Sequence, residues 1–185
     1  MDLQPINVSV NSEIGKLQHV LVHTPGEEIE NMTPENAHNF LYSDILNLQI
    51  AGKEHGRFKK VLQKVAQVHE ISDLLTDVLR NEKIKSNLVD RVCKTENVSY
   101  LSDYLKGLEA EELSRQLIQG VCLKDISYID GERFSLQPLP NLFFMRDASF
   151  TVFDNLMISN MATTIRSREC LMLDMIYNYH PMFEA

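Results

Sequence analysis

The sequence predicts an α/β fold that carries an inserted small bundle of helices. Residues 17–23 are apolar and β-branched enough to predict a strand, which Thr24-Pro25-Gly26 ends. Apolar residues then recur at a helical spacing over 45–65, and residues 67–71 alternate as a strand does. Residues 73–120 contain only helical patterns, and strand patterns return after them. This order is typical of α/β units interrupted by helices.

The first α/β unit is expected to hold a helix between two strands. Thr33 and Pro34 are typical of a helix start, as N-cap and first helical residue. Gly52 and Gly56 weaken the helix predicted over 45–65 by up to about 1 kcal/mol each. His19 and His23 flank the first strand, and without a third ligand nearby we interpret them as polar strand positions.

The helical segment contains a short helix between Ser99 and Gly107, and a last helix that Gly120 ends. We therefore expect three parts: a first α/β unit at residues 1–72, an inserted helical bundle at 73–125, and a second α/β unit at 126–185.

The second unit begins with a polar segment, 127–137, in which Asp130-Gly131 predicts a turn. Two strands are predicted at 150–153 and 156–159, joined by a hairpin turn at Asp154-Asn155. A helix is expected from Ile165 to about Asn178, capped by Thr163-Thr164 and ended before Pro181.

Composition restricts the classes of partner. A formal charge of -8 with no Lys/Arg cluster argues against nucleic acid and anionic membranes. The apolar runs are shorter than the roughly 20 residues of a membrane helix, and no signal-peptide pattern opens the chain. Cys93, Cys122 and Cys170 are widely spaced and indicate neither a disulfide framework nor a zinc site. We expect a cytoplasmic protein with no cofactor and no metal.

The segment Pro138–Asp147 has the pattern of a functional site. Two prolines stiffen its start, and an apolar run leads from Asn141 to the adjacent charges Arg146 and Asp147. Charges at the end of an apolar run need a partner, so a structural ion pair at a strand end and a ligand site both remain open. Downstream, Arg166 and Arg168 fall in the first turn of a predicted helix, where the dipole disfavours cations. Their placement suggests an anion to bind, such as a carboxylate.

Several motifs are spread over almost the whole chain: Gly15-Lys16-Leu17, Leu41-Tyr42-Ser43-Asp44, Glu54-His55, Pro138-Leu139-Pro140-Asn141, Phe144-Met145-Arg146-Asp147, Arg166 with Glu169, and His180-Pro181. Together they resemble the amino-terminal half of the arginine deiminase family, which hydrolyses L-arginine to L-citrulline and ammonia. The resemblance implies a partial pentein fold, in which ββαβ units surround a pseudo-fivefold axis and a helical bundle is inserted in the first half.

The resemblance also implies roles for individual residues. Asp147 would grip the guanidinium of arginine through paired hydrogen bonds, and Arg166 would bind its α-carboxylate. Asn141, Phe144 and Leu41 would surround the amino-acid end, while Arg146 would be a structural neighbour.

The sequence also departs from the family pattern. Ser43 stands where the family usually has Asp, Met145 where Thr is common, and Ser167 where a second Arg is frequent. The family's nucleophilic Cys, catalytic His and second guanidinium-binding carboxylate come from its second half, which this sequence lacks. Cys170 lies outside the nucleophile motif and does not replace that Cys.

We therefore expect a truncated arginine deiminase homologue that keeps half of the arginine pocket and is inactive alone. A separate carboxy-terminal half or a homo-oligomer would complete the pocket. The alternative is a non-enzymatic remnant that acts as a binding or oligomer-forming module.

Overall fold

The first unit is built on two parallel strands. The structure, a computed structural model, describes residues 5–32, 37–122 and 134–183. Strands β1 (His19–Val22) and β2 (Gln67–Glu70) run in parallel, with His19 opposite Gln67. A parallel pair needs a crossover connection, and helices α1 (Glu27–Glu30) and α2 (Leu48–Leu62) lie in it. The predicted order of strand, helix and strand is confirmed, whereas the helix start predicted at Thr33-Pro34 lies outside the described residues.

Helix α2 is shorter than predicted and lies on the surface. It begins where the side chain of Asn47 accepts a hydrogen bond from the backbone N–H of Ile50 at 3.0 Å. None of its residues is buried within the described part of the chain, and Ile50, Phe58 and Val61 are 55–60% exposed. The helical spacing of its apolar residues predicted the helix but did not indicate a buried face.

Four helices follow β2: α3 (Ile71–Leu79), α4 (Glu82–Thr95), α5 (Ser102–Lys106) and α6 (Ala110–Gln119). A 3₁₀ turn at Ser99–Leu101 leads into α5. Gly120 ends α6 as predicted, with φ at 86°, and an added Cβ there would lie 2.6 Å from the carbonyl oxygen of Leu136. Only glycine fits this position without strain.

A strand lies where the sequence predicted a turn. Strand β3 (Val121–Cys122) pairs antiparallel with β4 (Phe134–Leu136), and Val121 lies opposite Leu136. The polar turn predicted at 127–137 is therefore wrong for its last residues, because the side chains of β4 are buried against the core. Asp130-Gly131 lies outside the described residues.

The segment after the Pro138–Asp147 stretch forms one helical turn and a hairpin. Helix α7 (Met145–Ala148) replaces the strand end considered for Arg146 and Asp147. Strands β5 (Ser149–Val152) and β6 (Asn155–Ile158) pair antiparallel, with Val152 opposite Asn155. The hairpin turn is Phe153-Asp154, one residue before the predicted turn, and Phe153 has a φ of 54°.

The last long helix is α8 (Ser167–Tyr179), which follows a 3₁₀ turn at Thr164–Arg166. Thr163 is the N-cap of this 3₁₀ turn, as predicted, but its side chain forms no capping hydrogen bond, and the N-cap of α8 itself is Arg166. Helix α8 packs on α3 and α4, and the main core runs through α3, α4, α6 and α8. Its fully buried side chains include Leu75, Leu79, Leu88, Leu117, Met172 and Ile176. The start of α8 is therefore a rigid position, whereas the predicted boundaries at 72/73 and 125/126 stay a prediction.

A second, smaller cluster positions the loops near the start of α8. Ile29, Met32 and Phe40 are buried together, and Tyr42, Phe143 and Ile165 pack against them. This cluster brings the segment 37–42 and the Pro138–Asp147 stretch against the beginning of α8. No helix among the described residues is long and apolar enough to cross a membrane.

Candidate functional site

Arg166 is at the centre of the candidate site. Its guanidinium binds two carboxylates: Nε donates to Oε1 of Glu169 at 2.9 Å, Nη2 to Oε2 of Glu169 at 2.8 Å, and Nη1 to Oδ2 of Asp147 at 2.7 Å. The side chain of Arg166 is only 11% exposed, and that of Glu169 is 1% exposed. The side chain of Asp147 is 53% exposed. Glu169, Arg166 and Asp147 thus form a row of charges that runs from the core to solvent.

Backbone carbonyls complete the surroundings of Arg166. Its Nη2 also lies 3.3 Å from the carbonyl oxygen of Asn141 and 3.4 Å from that of Phe144. The Pro138–Asp147 stretch thus curves around the guanidinium and presents its carbonyl oxygens to it. This local backbone is shaped by the one-turn helix α7, whose N-cap is Phe144.

Charge and burial oppose each other at Arg166. Burial disfavours its charge, but the hydrogen bonds and charges of Glu169 and Asp147 outweigh that effect and hold the pKa of Arg166 above its usual range. Burial also raises the pKa of Glu169, and the contact with Arg166 opposes that rise. A bidentate guanidinium–carboxylate contact is the geometry in which such a pair is strongest.

The segment before α2 is tied to the same site. The side-chain amide of Asn141 donates to the carbonyl oxygen of Phe40 at 2.8 Å, and the hydroxyl of Tyr42 donates to that of Pro140 at 3.1 Å. Burial raises the pKa of Tyr42 to about 12, so the hydroxyl keeps its proton and stays a donor. Leu41, between these two anchors, has a φ of 66° and is 62% exposed. A left-handed leucine is strained and persists where its neighbours are held.

The structure brings together most residues to which the sequence assigned a site. Asn141, Phe144 and Asp147 all contact Arg166. Phe144 contributes its carbonyl oxygen, while its ring is exposed and contacts that of Phe143, with the centroids 4.1 Å apart. Phe144 is therefore exposed, although it belongs to the apolar run that leads from Asn141 to Arg146 and Asp147. Leu41 is not among the hydrogen-bond partners of Arg166 in the described residues, and it follows Phe40, whose carbonyl oxygen Asn141 binds.

The adjacent charges Arg146 and Asp147 have different partners. Arg146 binds Glu13, with Nη2 at 2.7 Å from Oε1, and both side chains are mostly exposed. Exposed pairs of this kind contribute little to stability. Of the two charges, only Asp147 belongs to the candidate site.

Sequence reasoning assigned no role to Glu169. Its spacing of three residues from Arg166, at the start of a helix, is the signal that could have identified it, since such residues are neighbours on a helix. Arg166 thus has carboxylate partners within the protein. The same holds for Arg168, which is buried, lies 3.4 Å from Oε1 of Glu96 and donates to the carbonyl oxygen of Gln137.

Two thiols near the core are poor nucleophiles. Cys93 and Cys170 are buried, and the S–H of Cys170 donates to the carbonyl oxygen of Ala148 at 3.7 Å. Burial raises the pKa of both thiols, which disfavours the reactive thiolate. Within residues 5–32, 37–122 and 134–183, no three side chains of the metal-binding types lie close enough to hold an ion.

The residues of the site lie within the part of the chain that a known family matches. A family model described as "Arginine deiminase" matches residues 38–185. The chain belongs to the arginine deiminase family. An arginine deiminase of Borreliella afzelii is 33% identical to it over 199 residues, covering 98% of this chain and 48% of that protein. One of Bacillus cereus is 36% identical over 194 residues, covering 96% and 47%. The chain spans about half the length of the curated relatives it matches.

Proposed function

We propose that the chain forms one wall of a pocket for L-arginine, in the reaction that yields L-citrulline and ammonia. Asp147 would grip the guanidinium, Arg166 the α-carboxylate, and Asn141, Phe144 and Leu41 the amino-acid end. The observation that supports this is the contact between Arg166 and Asp147, 2.7 Å long and partly open to solvent. Arginine carries the opposite two charges at its two ends, so each end has a partner here.

The proposal covers binding and not turnover by these residues alone. Hydrolysis of the guanidinium needs a thiolate that attacks its carbon and an acid/base that releases ammonia and activates water. Cys93 and Cys170 are buried with raised pKa values, so neither supports that step. We therefore infer that these 185 residues are inactive alone, and that a carboxy-terminal half or a second copy completes the pocket.

Two measurements test the proposal. Titration calorimetry of the chain with L-arginine should show binding that Arg166→Gln removes and that Arg146→Gln leaves unchanged, because the ion-pair partner of Arg146 is the exposed Glu13, outside the candidate site. Citrulline release should be absent with the chain alone and appear when the carboxy-terminal half of the Bacillus cereus relative is added. If the chain does not bind arginine and the mixture releases no citrulline, the proposal is wrong.

The partial pentein fold and the cytoplasmic location belong to the same proposal. The parallel pair of β1 and β2 and the hairpin of β5 and β6 are the pieces that a ββαβ arrangement requires. Cys93 and Cys170 are buried thiols, which suit a reducing compartment.

The alternative is a non-enzymatic module that binds a partner or forms oligomers. The β5–β6 hairpin favours it, because Phe150 and Met157 are exposed on its strands and Phe153 in its turn. Among the described residues, this sheet has only these two strands, so their outer edges are available for pairing. Sedimentation of the chain across a range of concentrations tests this. A monomer at every concentration would contradict the oligomer-forming module.

A further inference from the structure

The donors of Arg166 are almost completely used. A guanidinium has five N–H donors. The single hydrogen on Nε goes to Glu169, and those on Nη2 are directed at Glu169 and at the carbonyls of Asn141 and Phe144. Nη1 gives one hydrogen to Asp147. Among the described residues, Nη1 is thus the only nitrogen of Arg166 with a hydrogen left for a ligand.

The carboxylate of Asp147 likewise has one oxygen in a hydrogen bond and one available. Its Oδ2 accepts from Arg166, and its Oδ1 has no hydrogen-bond partner in the described part of the chain. A ligand that approaches from solvent therefore meets one free N–H and one free carboxylate oxygen side by side. The contact of 2.7 Å joins the two groups that present them.

We propose that this ion pair is a selectivity device, which opens for ligands that carry an anion and a guanidinium together and resists ligands that carry only one. The inference deepens the proposed function and rests on it for the identity of the ligand. A ligand with an anion alone that takes Nη1 of Arg166 leaves Asp147 without its partner. A ligand with a guanidinium alone that takes Asp147 leaves Nη1 of Arg166 without its acceptor, while Glu169 stays bound to Nε and Nη2. Losing a partner at a partly buried charge is costly. A ligand with both charges gives each residue a new partner.

Asp147 is the member of the pair that moves. Arg166 is held by the buried carboxylate of Glu169 and by two carbonyl oxygens, so its displacement would leave a buried charge unpaired. Within the described residues, the side chain of Asp147 is hydrogen-bonded only to Arg166; it is half exposed and lies on the one-turn helix α7. Rotation of the Asp147 side chain is therefore sufficient to open the pair.

Three ligands test separately what each end of arginine contributes to binding. L-arginine carries both groups, agmatine carries the guanidinium without the carboxylate, and L-norvaline carries the carboxylate without the guanidinium. Titration calorimetry of the full chain should give L-arginine an affinity about tenfold or more above either of the others, as expected from one charge-assisted hydrogen bond.

The decisive variant is Asp147→Asn, which keeps the shape of the side chain and removes its charge. Nη1 of Arg166 then faces a neutral acceptor, which a ligand carboxylate displaces more easily, and the affinity for L-norvaline should rise about tenfold over that of the wild-type chain. Asp154→Asn is the matched control, since Asp154 is exposed and pairs with no cation among the described residues. It should change no affinity. Should Asp147→Asn lose cooperative unfolding, Asp147→Ser makes the same test.

The outcomes distinguish this inference from the proposed function. No gain for L-norvaline in the Asp147 variant overturns the selectivity device, even when L-arginine binds the wild-type chain. A gain for L-norvaline without any binding of L-arginine shows only that Asp147 competes with an anion for Arg166, and it overturns both the device and the proposed function.

Discussion

Both carboxylate oxygens of Glu169 are hydrogen-bonded to Arg166, Oε1 to Nε at 2.9 Å and Oε2 to Nη2 at 2.8 Å. The pair lies at the start of α8, the helix that packs on α3 and α4 in the main core. Because Glu169 is completely buried, its carboxylate has no water to replace Arg166. The stability of this region therefore depends on the pair remaining whole.

We expect Glu169→Ala to lower the free energy of unfolding by about 3 kcal/mol or more, because it leaves a largely buried guanidinium with one carboxylate instead of two. Urea unfolding followed by circular dichroism measures the change. Glu111→Ala is the matched control, since Glu111 forms an exposed pair with Arg80 and should contribute about 1 kcal/mol or less. Equal losses in the two variants would contradict the importance of the buried pair.

Gly120→Ala should destabilise the chain by roughly 1–3 kcal/mol, because the new Cβ meets the Leu136 carbonyl oxygen at 2.6 Å and the φ of 86° is strained for alanine. The same substitution at Gly52 should stabilise by up to about 1 kcal/mol, since Gly52 lies inside α2 with nothing within 4 Å of the added atom. Thermal unfolding of both variants checks the signs. If Gly120→Ala left the thermal stability unchanged, the added Cβ would have room between α6 and β3, contrary to this prediction.

Phe153→Gly should stabilise the β5–β6 hairpin by about 0.5–1 kcal/mol. The φ of 54° at the first turn residue is one that glycine adopts without strain, and the hydrogen bonds between Phe153 and Val10 use only the backbone. Phe150→Gly, the same substitution within strand β5, should instead lower the free energy of unfolding. Chemical denaturation gives the free energy of unfolding of both variants. A lower value for Phe153→Gly than for the wild-type chain would show that the Phe153 ring forms stabilising contacts.

The stability of the chain should fall as the pH drops below about 6.5, the usual pKa of histidine. Nδ1 of His19 lies 3.1 Å from Nε2 of His69, and there is room for one hydrogen between them. Burial, with the nearby His19 and His180, lowers the pKa of His69. The unfolded chain then binds more protons than the folded chain in this range, so acid favours unfolding.

His69→Gln should flatten this pH dependence, measured as the free energy of unfolding between pH 7.5 and 5.5. Some slope should remain, because burial also lowers the pKa of His55. His38→Gln, at an exposed position, is the control. An unchanged slope in His69→Gln would contradict the role of the histidine pair.

The main elements could be predicted from the sequence because their patterns are long. Helices α4, α6 and α8 extend over many residues, so their periodicity is clear, and the strand–helix–strand order of the first unit is confirmed. The sequence could not indicate β4, because three residues are too few for a pattern and a polar segment precedes them. It also could not indicate that α2 is exposed, since periodicity reports an apolar face and not what covers it.

The candidate site was only partly predictable. Motifs identified Asp147 and Arg166, and the structure brings them into contact, while the roles assigned to them stay predictions. The contact between Asp147 and Arg166 depends on side-chain geometry that no motif records. The same is true of the two hydrogen bonds that Glu169 accepts from Arg166. The left-handed backbone at Leu41 was also not predictable, since leucine is not a residue that predicts a positive φ.

The parallel pairing of β1 and β2 has a kinetic consequence. Residues 23–66 separate the two strands, whereas only Phe153 and Asp154 separate β5 from β6. Hairpins form within about 1–10 μs, and distant contacts form more slowly because a long loop must close first. We expect the hairpin and the helices to form early and the β1–β2 pair late. During refolding, the edge of β1 is therefore the last to be protected from hydrogen exchange.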